Sequence, residues 1–113
     1  MDNTEVVNNT SKYIVKTTGI GSETNQELVD AEKLAEGTDG SKVSLIECYY
    51  LIEGTGTLTI SADAEHPNKL NLTGKGKYGL RPNQLKYGND KIIKLTTDSN
   101  VKSYLLVTEF RRN

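Results

Sequence analysis

The chain has 113 residues, enough for one domain and too few for a catalytic domain with a second lobe. Its 14 basic and 15 acidic side chains leave a net charge of -1, without the basic excess of a general nucleic-acid binder. Hydrophobic residues make up 35%, and no apolar run approaches the roughly 20 residues that span a bilayer as a helix.

Residues 1–10 are polar and lack the apolar core of a secretory signal. They are expected to form a flexible N-terminal arm, ahead of a single β-sandwich domain over residues 11–113. Residues 11–18 are the first strand candidate, with Tyr13, Val15 and Thr17 on one face and Ile14, Lys16 and Thr18 on the other. Residues 26–35 carry a weak helical spacing through Leu28, Ala31, Leu34 and Ala35. An extended segment leading into a short turn is the preferred reading there.

Residues 42–52 are the most apolar stretch. Alternation puts Val43, Leu45, Tyr49 and Leu51 on one face and Ile46, Cys48, Tyr50 and Ile52 on the other. A strand apolar on both faces is expected to be covered on both, by a second sheet and a loop or by a partner chain. Glu53-Gly54-Thr55 reads as a tight hairpin loop leading to residues 56–62, where Leu58, Ile60 and Ala62 face inward. Residues 69–73 repeat the alternation through Leu70 and Leu72, and residues 91–97 through Ile93 and Leu95. Residues 101–110 close the chain, with Tyr104, Leu106, Thr108 and Phe110 on one face.

The connectors are rich in turn residues: Thr38-Asp39-Gly40, His66-Pro67-Asn68, Gly88-Asn89-Asp90 and Asp98-Ser99-Asn100. Short strands at this spacing predict an all-β, antiparallel β-sandwich, jelly-roll- or Ig-like, of about seven or eight strands.

Few residues point to chemistry. Cys48 is the only cysteine, so no intrachain disulfide can form, and its apolar run predicts a buried, inert thiol. Gly74-Lys75-Gly76-Lys77-Tyr78-Gly79 matches the spacing of a dinucleotide-binding loop, but Pro82 turns the following chain away from the helix that loop must open. The expected reading is a glycine-rich β connection, and no cofactor is expected. Asp63, Glu65 and His66 form a cluster of metal-ligand types, too few for zinc and incomplete for calcium, so a surface turn is expected and no metal. Glu47 is the one acid in an apolar run; a cross-strand pair with a lysine or arginine, or an interface bond, is its expected role. No serine, cysteine or histidine pattern marks a nucleophile, so the chain is not expected to be an enzyme. Tyr78 and Tyr87 flank the Gly/Pro/Asn-rich segment and are candidate protein contacts.

The order of segments resembles small β-sandwich virion structural proteins of tailed bacteriophages, marine ones especially. The likeness is carried by Asn-Thr-Ser-Lys-Tyr-x-Val at residues 9–15 and Glu-Leu-Val-Asp at residues 27–30. It continues through Gly-Thr-Gly-Thr-Leu-Thr-Ile-Ser at residues 54–61 and Leu-x-Leu-x-Gly-x-Gly-x-Tyr-Gly-Leu-Arg-Pro-Asn-Gln at residues 70–84. It implies a part of the particle that decorates or cements the capsid exterior, with neck or tail as the alternative position. The implied partners are the major capsid protein or other virion subunits, and further copies of the chain. Neither nucleic acid nor membrane is expected as a partner. Asn8 and Asn9 near the N-terminus and Arg111 and Arg112 near the C-terminus join the two tyrosines as candidate contacts. A carbohydrate- or ligand-binding β-sandwich module is the reading from a different class; the absence of tryptophan weighs against it.

Overall fold

A computed structural model describes residues 1–62, 69–79 and 90–113. The Asp63, Glu65 and His66 cluster, the His66-Pro67-Asn68 turn, Arg81-Pro82, Tyr87 and Gly88-Asn89 lie outside the described residues.

Nine strands appear among the described residues: β1 (Asp2–Asn8), β2 (Lys12–Ile20), β3 (Glu23–Asp30), β4 (Val43–Gly54), β5 (Leu58–Ala62), β6 (Lys69–Leu72), β7 (Lys75–Tyr78), β8 (Ile92–Thr97) and β9 (Val101–Arg112). They form a five-stranded sheet in the order β1-β2-β9-β4-β7 and a four-stranded sheet in the order β3-β8-β5-β6. Every pairing is antiparallel. From β2 onward this order is that of a jelly roll, with β1 added at one edge. The chain is therefore an all-β sandwich, as its alternation predicts.

The core lies between the sheets. Tyr13 and Val15 of β2, Leu58 and Ile60 of β5, Ile93 and Leu95 of β8, and Leu106 and Phe110 of β9 are all buried. The rings of Tyr13 and Phe110 stack with centroids 6.2 Å apart. Each such side chain contributes about 1.5–3 kcal/mol by leaving water. At the opposite end of β9, the Tyr104 hydroxyl donates to Glu23, whose other oxygen pairs with the Met1 amino group at 2.9 Å.

Four local features depart from the sequence reading. Residues 2–8 are a paired edge strand, where a flexible arm was expected. Val7 meets Ile14 and Asn8 meets Tyr13 in the ladder with β2. The hairpin is closed by Asn9, whose Oδ1 accepts the amide protons of Ser11 (2.9 Å) and Lys12 (3.0 Å).

Second, Glu53-Gly54-Thr55 is not a tight hairpin. β4 belongs to one sheet and β5 to the other, so the loop crosses the sandwich. Gly54 sits at φ +100, and a Cβ there would lie 2.3 Å from the Asn100 carbonyl, so only glycine fits.

Third, residues 75–78 form β7 where a glycine-rich connection was expected. The GxGxxG spacing thus falls on a strand. A phosphate cradle of this type needs a helix N-terminus, and none begins in the described part of this segment.

Fourth, a bulge interrupts β4. Leu45 pairs with Phe110 and Glu47 pairs with Glu109, leaving Ile46 as the extra residue. It shifts the phase of the strand by one. Val43, Leu45, Cys48 and Ile52 consequently all reach the core, while Tyr49 and Leu51 point away from it. The plain alternation read from residues 42–52 had grouped Tyr49 and Leu51 with Val43 and Leu45.

Residues 26–35 behave as read. β3 leads into a single 3-10 turn, Ala31–Lys33, capped by Asp30, whose carboxylate accepts the Glu32 amide proton at 3.1 Å.

Candidate functional site: the outer face of the five-stranded sheet

The two sides of β9 and β4 differ in use rather than in polarity. Their inward residues make the core; their outward residues are also apolar. Cross-strand register sets the outward side chains in rows. Ile14, Glu109 and Glu47 form one row. Lys16, Val107, Tyr49 and Lys77 form the next. Thr18, Leu105, Leu51 and Lys75 form a third. Ile20, Ser103 and Glu53 complete the face.

Tyr49 is 48% exposed and Leu51 43%, values that mark a large apolar surface left in contact with water. Val107 and Leu105 lie half-buried between them and β2. Two shallow depressions flank the Tyr49–Val107 pair. One, of about 200 Å³, is lined by Ile14, Glu47, Tyr49, Val107 and Glu109. The other, of about 310 Å³, is lined by Tyr50, Leu51, Lys75, Gly76 and Leu105 together with the same pair.

The charges around this patch are segregated. Glu47 and Glu109 face each other directly across the ladder, a like-charge contact that destabilises a sheet. Lys77 reaches Glu47 at 3.5 Å and lies 4.9 Å from the centroid of the Tyr49 ring. The Tyr49 side chain, with the Glu47 carboxylate behind it, holds the Lys77 ammonium pKa above its ordinary value. Glu47 is thus a cross-strand partner of a lysine, as its apolar surroundings predict. Glu109 makes no ion pair among the described residues, and neither does Lys75 on the opposite flank.

Other features of the chain are structural in this geometry. Burial pushes the Cys48 thiol up to about 12, so it stays protonated and is a poor nucleophile. A cleft of about 230 Å³ beside Asn3, Leu28 and Leu34 contains Glu27 and Asp30, and both carboxylates lie 3.8 Å from Lys33. Glu32 anchors the following loop by accepting the Gly40 amide proton at 3.1 Å; that bond, with Lys91 at 3.3 Å, lowers its carboxyl pKa. No group of three or more His, Cys, Asp or Glu side chains that could hold a metal occurs among the described residues.

The candidate contact residues fall into three groups. Asn8, Asn9 and Arg112 are brought together at one end of the sandwich, where they tie the chain to itself. The Asn8 Oδ1 accepts the Ala35 amide proton at 2.9 Å, and Arg112 donates to the carbonyls of Asn9 (2.8 Å) and Ala35 (2.9 Å). Arg111 is exposed and donates to Asn113 at 3.1 Å, and Tyr78 packs its ring against the core. Tyr87 lies outside the described residues. The reading missed Tyr49, Leu51, Leu105 and Val107 as a surface. The signal was present, since both β4 and β9 are apolar on both faces, but the Ile46 bulge concealed which side is open.

No family model matches the chain, and no curated protein matches it. Among solved structures it is similar to the crystal structure of a cupin domain from Bordetella pertussis Tohama I. The identity is 13%, the coverage is 99% of this chain and 92% of that one, and the TM-score is 0.43. A likeness this loose carries nothing about activity, and the jelly-roll assignment rests on the strand order of the chain itself.

Proposed function

We propose that the chain is a non-enzymatic structural protein of a tailed-bacteriophage virion that decorates the capsid exterior, with the outer face of its five-stranded sheet as an assembly contact. The observation that carries this reading is that open face: Tyr49, Leu51, Leu105 and Val107 form an apolar patch over the two strands whose other sides make the core. Such a patch on a small domain marks an assembly contact. The segment resemblance supplies the virion. The jelly roll agrees by analogy only, since it serves capsids, lectins and enzymes alike.

The glycan-binding reading is the weaker one on this face. An aromatic platform for a sugar needs a free ring face, and Lys77 lies over that of Tyr49. Quantitative peptide mass spectrometry of purified particles tests the proposal. Abundance near that of the major capsid protein supports a capsid coat. The copy number of a single ring moves the chain to the neck or tail. Absence from particles, with the protein plainly expressed, overturns the structural reading.

A further inference from the structure

The open face has a charge pattern that a flat, non-specific contact would not need. Two carboxylates, Glu109 and Glu47, sit side by side at one end of the apolar patch, and Lys77 of β7 pairs with Glu47. Lys75 follows Lys77 along the β7 flank, a quarter-turn away around the same patch. Lys16 on β2 and Glu53 at the far end of β4 complete the frame. Acidic and basic edges therefore alternate around an apolar centre.

We infer that this face docks on the same face of a second copy of the chain, with the strands of the two sheets crossing near a right angle. This deepens the proposed function and rests on it only in taking the outer face as an assembly contact. Strands lie about 4.8 Å apart, and alternate residues along one strand about 7 Å apart. On that grid the face spans about 14 Å across the strands and about 21 Å along them, and a two-fold axis lying between two facing sheets can run along the strands, across them or along a diagonal.

An axis parallel to the strands sets Glu109 against the partner's Glu47 and Lys16 against the partner's Lys77. An axis perpendicular to the strands sets Lys77 against the partner's Lys75. Both arrangements repel. The diagonal through Tyr49 and Leu105 does the reverse. It stacks those two residues on their own copies, seats Val107 on the partner's Leu51, and brings Glu109 over the partner's Lys75. It also carries Lys16 towards the partner's Glu53. The second diagonal, through Val107 and Leu51, also sets Glu109 on the partner's Lys16 and Lys75 on the partner's Glu53, but it leaves Glu47 over Thr18, beside Asp2, and Lys77 over Ser103. Only the first diagonal gives every exposed charge an opposite partner, and it corresponds to the orthogonal class of sheet packing.

The overlap is roughly 14 by 21 Å, about 300 Å² in projection per copy, a size that fits a weak, transient contact. The dimer is therefore expected to be weak in dilute solution, with a Kd on the order of 10–100 µM. A surface that presents many copies side by side raises the local concentration into that range.

Sedimentation velocity of the full chain, from about 1 µM to about 1 mM, reads the equilibrium directly. A monomer–dimer transition is expected, and Val107→Glu should abolish it. The discriminating variants are Glu109→Lys and Lys75→Glu, both at exposed or half-exposed positions without an ion pair among the described residues. Each alone should weaken self-association about tenfold or more. An equimolar mixture should restore it as a heterodimer, because the reversed charges meet each other. Far-UV circular dichroism and an unchanged melting temperature show that each variant is folded.

A chain that stays monomeric throughout overturns the proposal, whether or not particles contain it. So does dimerisation that either charge reversal leaves unchanged, or a mixture that fails to restore pairing. The particle measurement above is independent of these outcomes. A protein that is present on virions yet monomeric in solution would refute the dimer and leave the virion role standing.

Discussion

Deleting Ile46 is expected to cost less than truncating its neighbour Leu45. Ile46 is the extra residue of the β4 bulge, between the Leu45–Phe110 and Glu47–Glu109 pairs. Without it, Leu45 precedes Glu47 directly, and plain alternation gives the faces already observed: Val43 and Leu45 inward, Glu47 outward, Cys48 inward. The loss is a half-buried isoleucine, about 1–1.5 kcal/mol, partly offset by a regular ladder. Leu45→Ala empties a fully buried site opposite Phe110 and should cost about 2–5 kcal/mol. Deleting Cys48 is the opposite case. The bulge can then absorb the missing residue only by moving the Glu47 carboxylate into the buried Cys48 position. Burying an unpaired carboxylate costs several kcal/mol, a large share of the roughly 5–15 kcal/mol that holds a domain together. Urea unfolding followed by circular dichroism ranks the three variants, and an unchanged m-value confirms that midpoints can be compared. The reasoning fails if the Ile46 deletion is less stable than Leu45→Ala, or if the Cys48 deletion is tolerated as well as that of Ile46.

Thr108 is fully buried between Val15 and Cys48, and its hydroxyl has no hydrogen-bond partner among the described residues. Thr108→Val should therefore stabilise by about 1 kcal/mol, roughly 4 °C in Tm by calorimetry; a lower Tm would show that the hydroxyl is satisfied after all. The Cys48 thiol, held at about 12 in the fold against 9.0 in the open chain, keeps its proton where the unfolded chain loses it. Its contribution is intact below pH 9.0 and is lost as the pH rises towards 12, by at most about 1.4 kcal/mol per pH unit. The stability advantage of wild type over Cys48→Ala should accordingly narrow between those limits in urea titrations; a constant gap would refute the assignment. Gly19→Ala would place a Cβ 2.5 Å from the Tyr104 ring, which must then move off Glu23. A loss of about 2 kcal/mol or more is expected, and Gly19→Ala combined with Tyr104→Phe should lose less than the sum of the two single changes.

What could be read from residues alone follows from the physics of alternation. Leu58, Ile60 and Ala62, or Leu70 and Leu72, occur at strict period two with polar neighbours, and a period-two pattern admits one buried face. Those strands are found where the pattern puts them. β1 was illegible because an edge strand of Asp, Asn, Thr and Glu buries little of its own and is held by the neighbour's backbone. β7 was illegible because Lys-Gly-Lys-Tyr carries no apolar face. The outer patch was hidden for a different reason. Alternation counts residues, and one unpaired residue at position 46 reverses every inference drawn across it.

The placement of β9 has a consequence for how the molecule is made. It lies between β2 and β4 as the hydrogen-bonding partner of both, yet it follows every other strand in the chain. Until it arrives, β2 and β4 are separated by a slot one strand wide, each with an open row of amides and carbonyls facing the gap. Another chain's strand fits that slot by the same hydrogen bonds. Synthesis of many copies at once therefore exposes each nascent molecule to its neighbours during the interval before its own β9 leaves the ribosome. The spacing of ribosomes along the message, more than the stability of the finished sandwich, would then set how much of the protein reaches its native form.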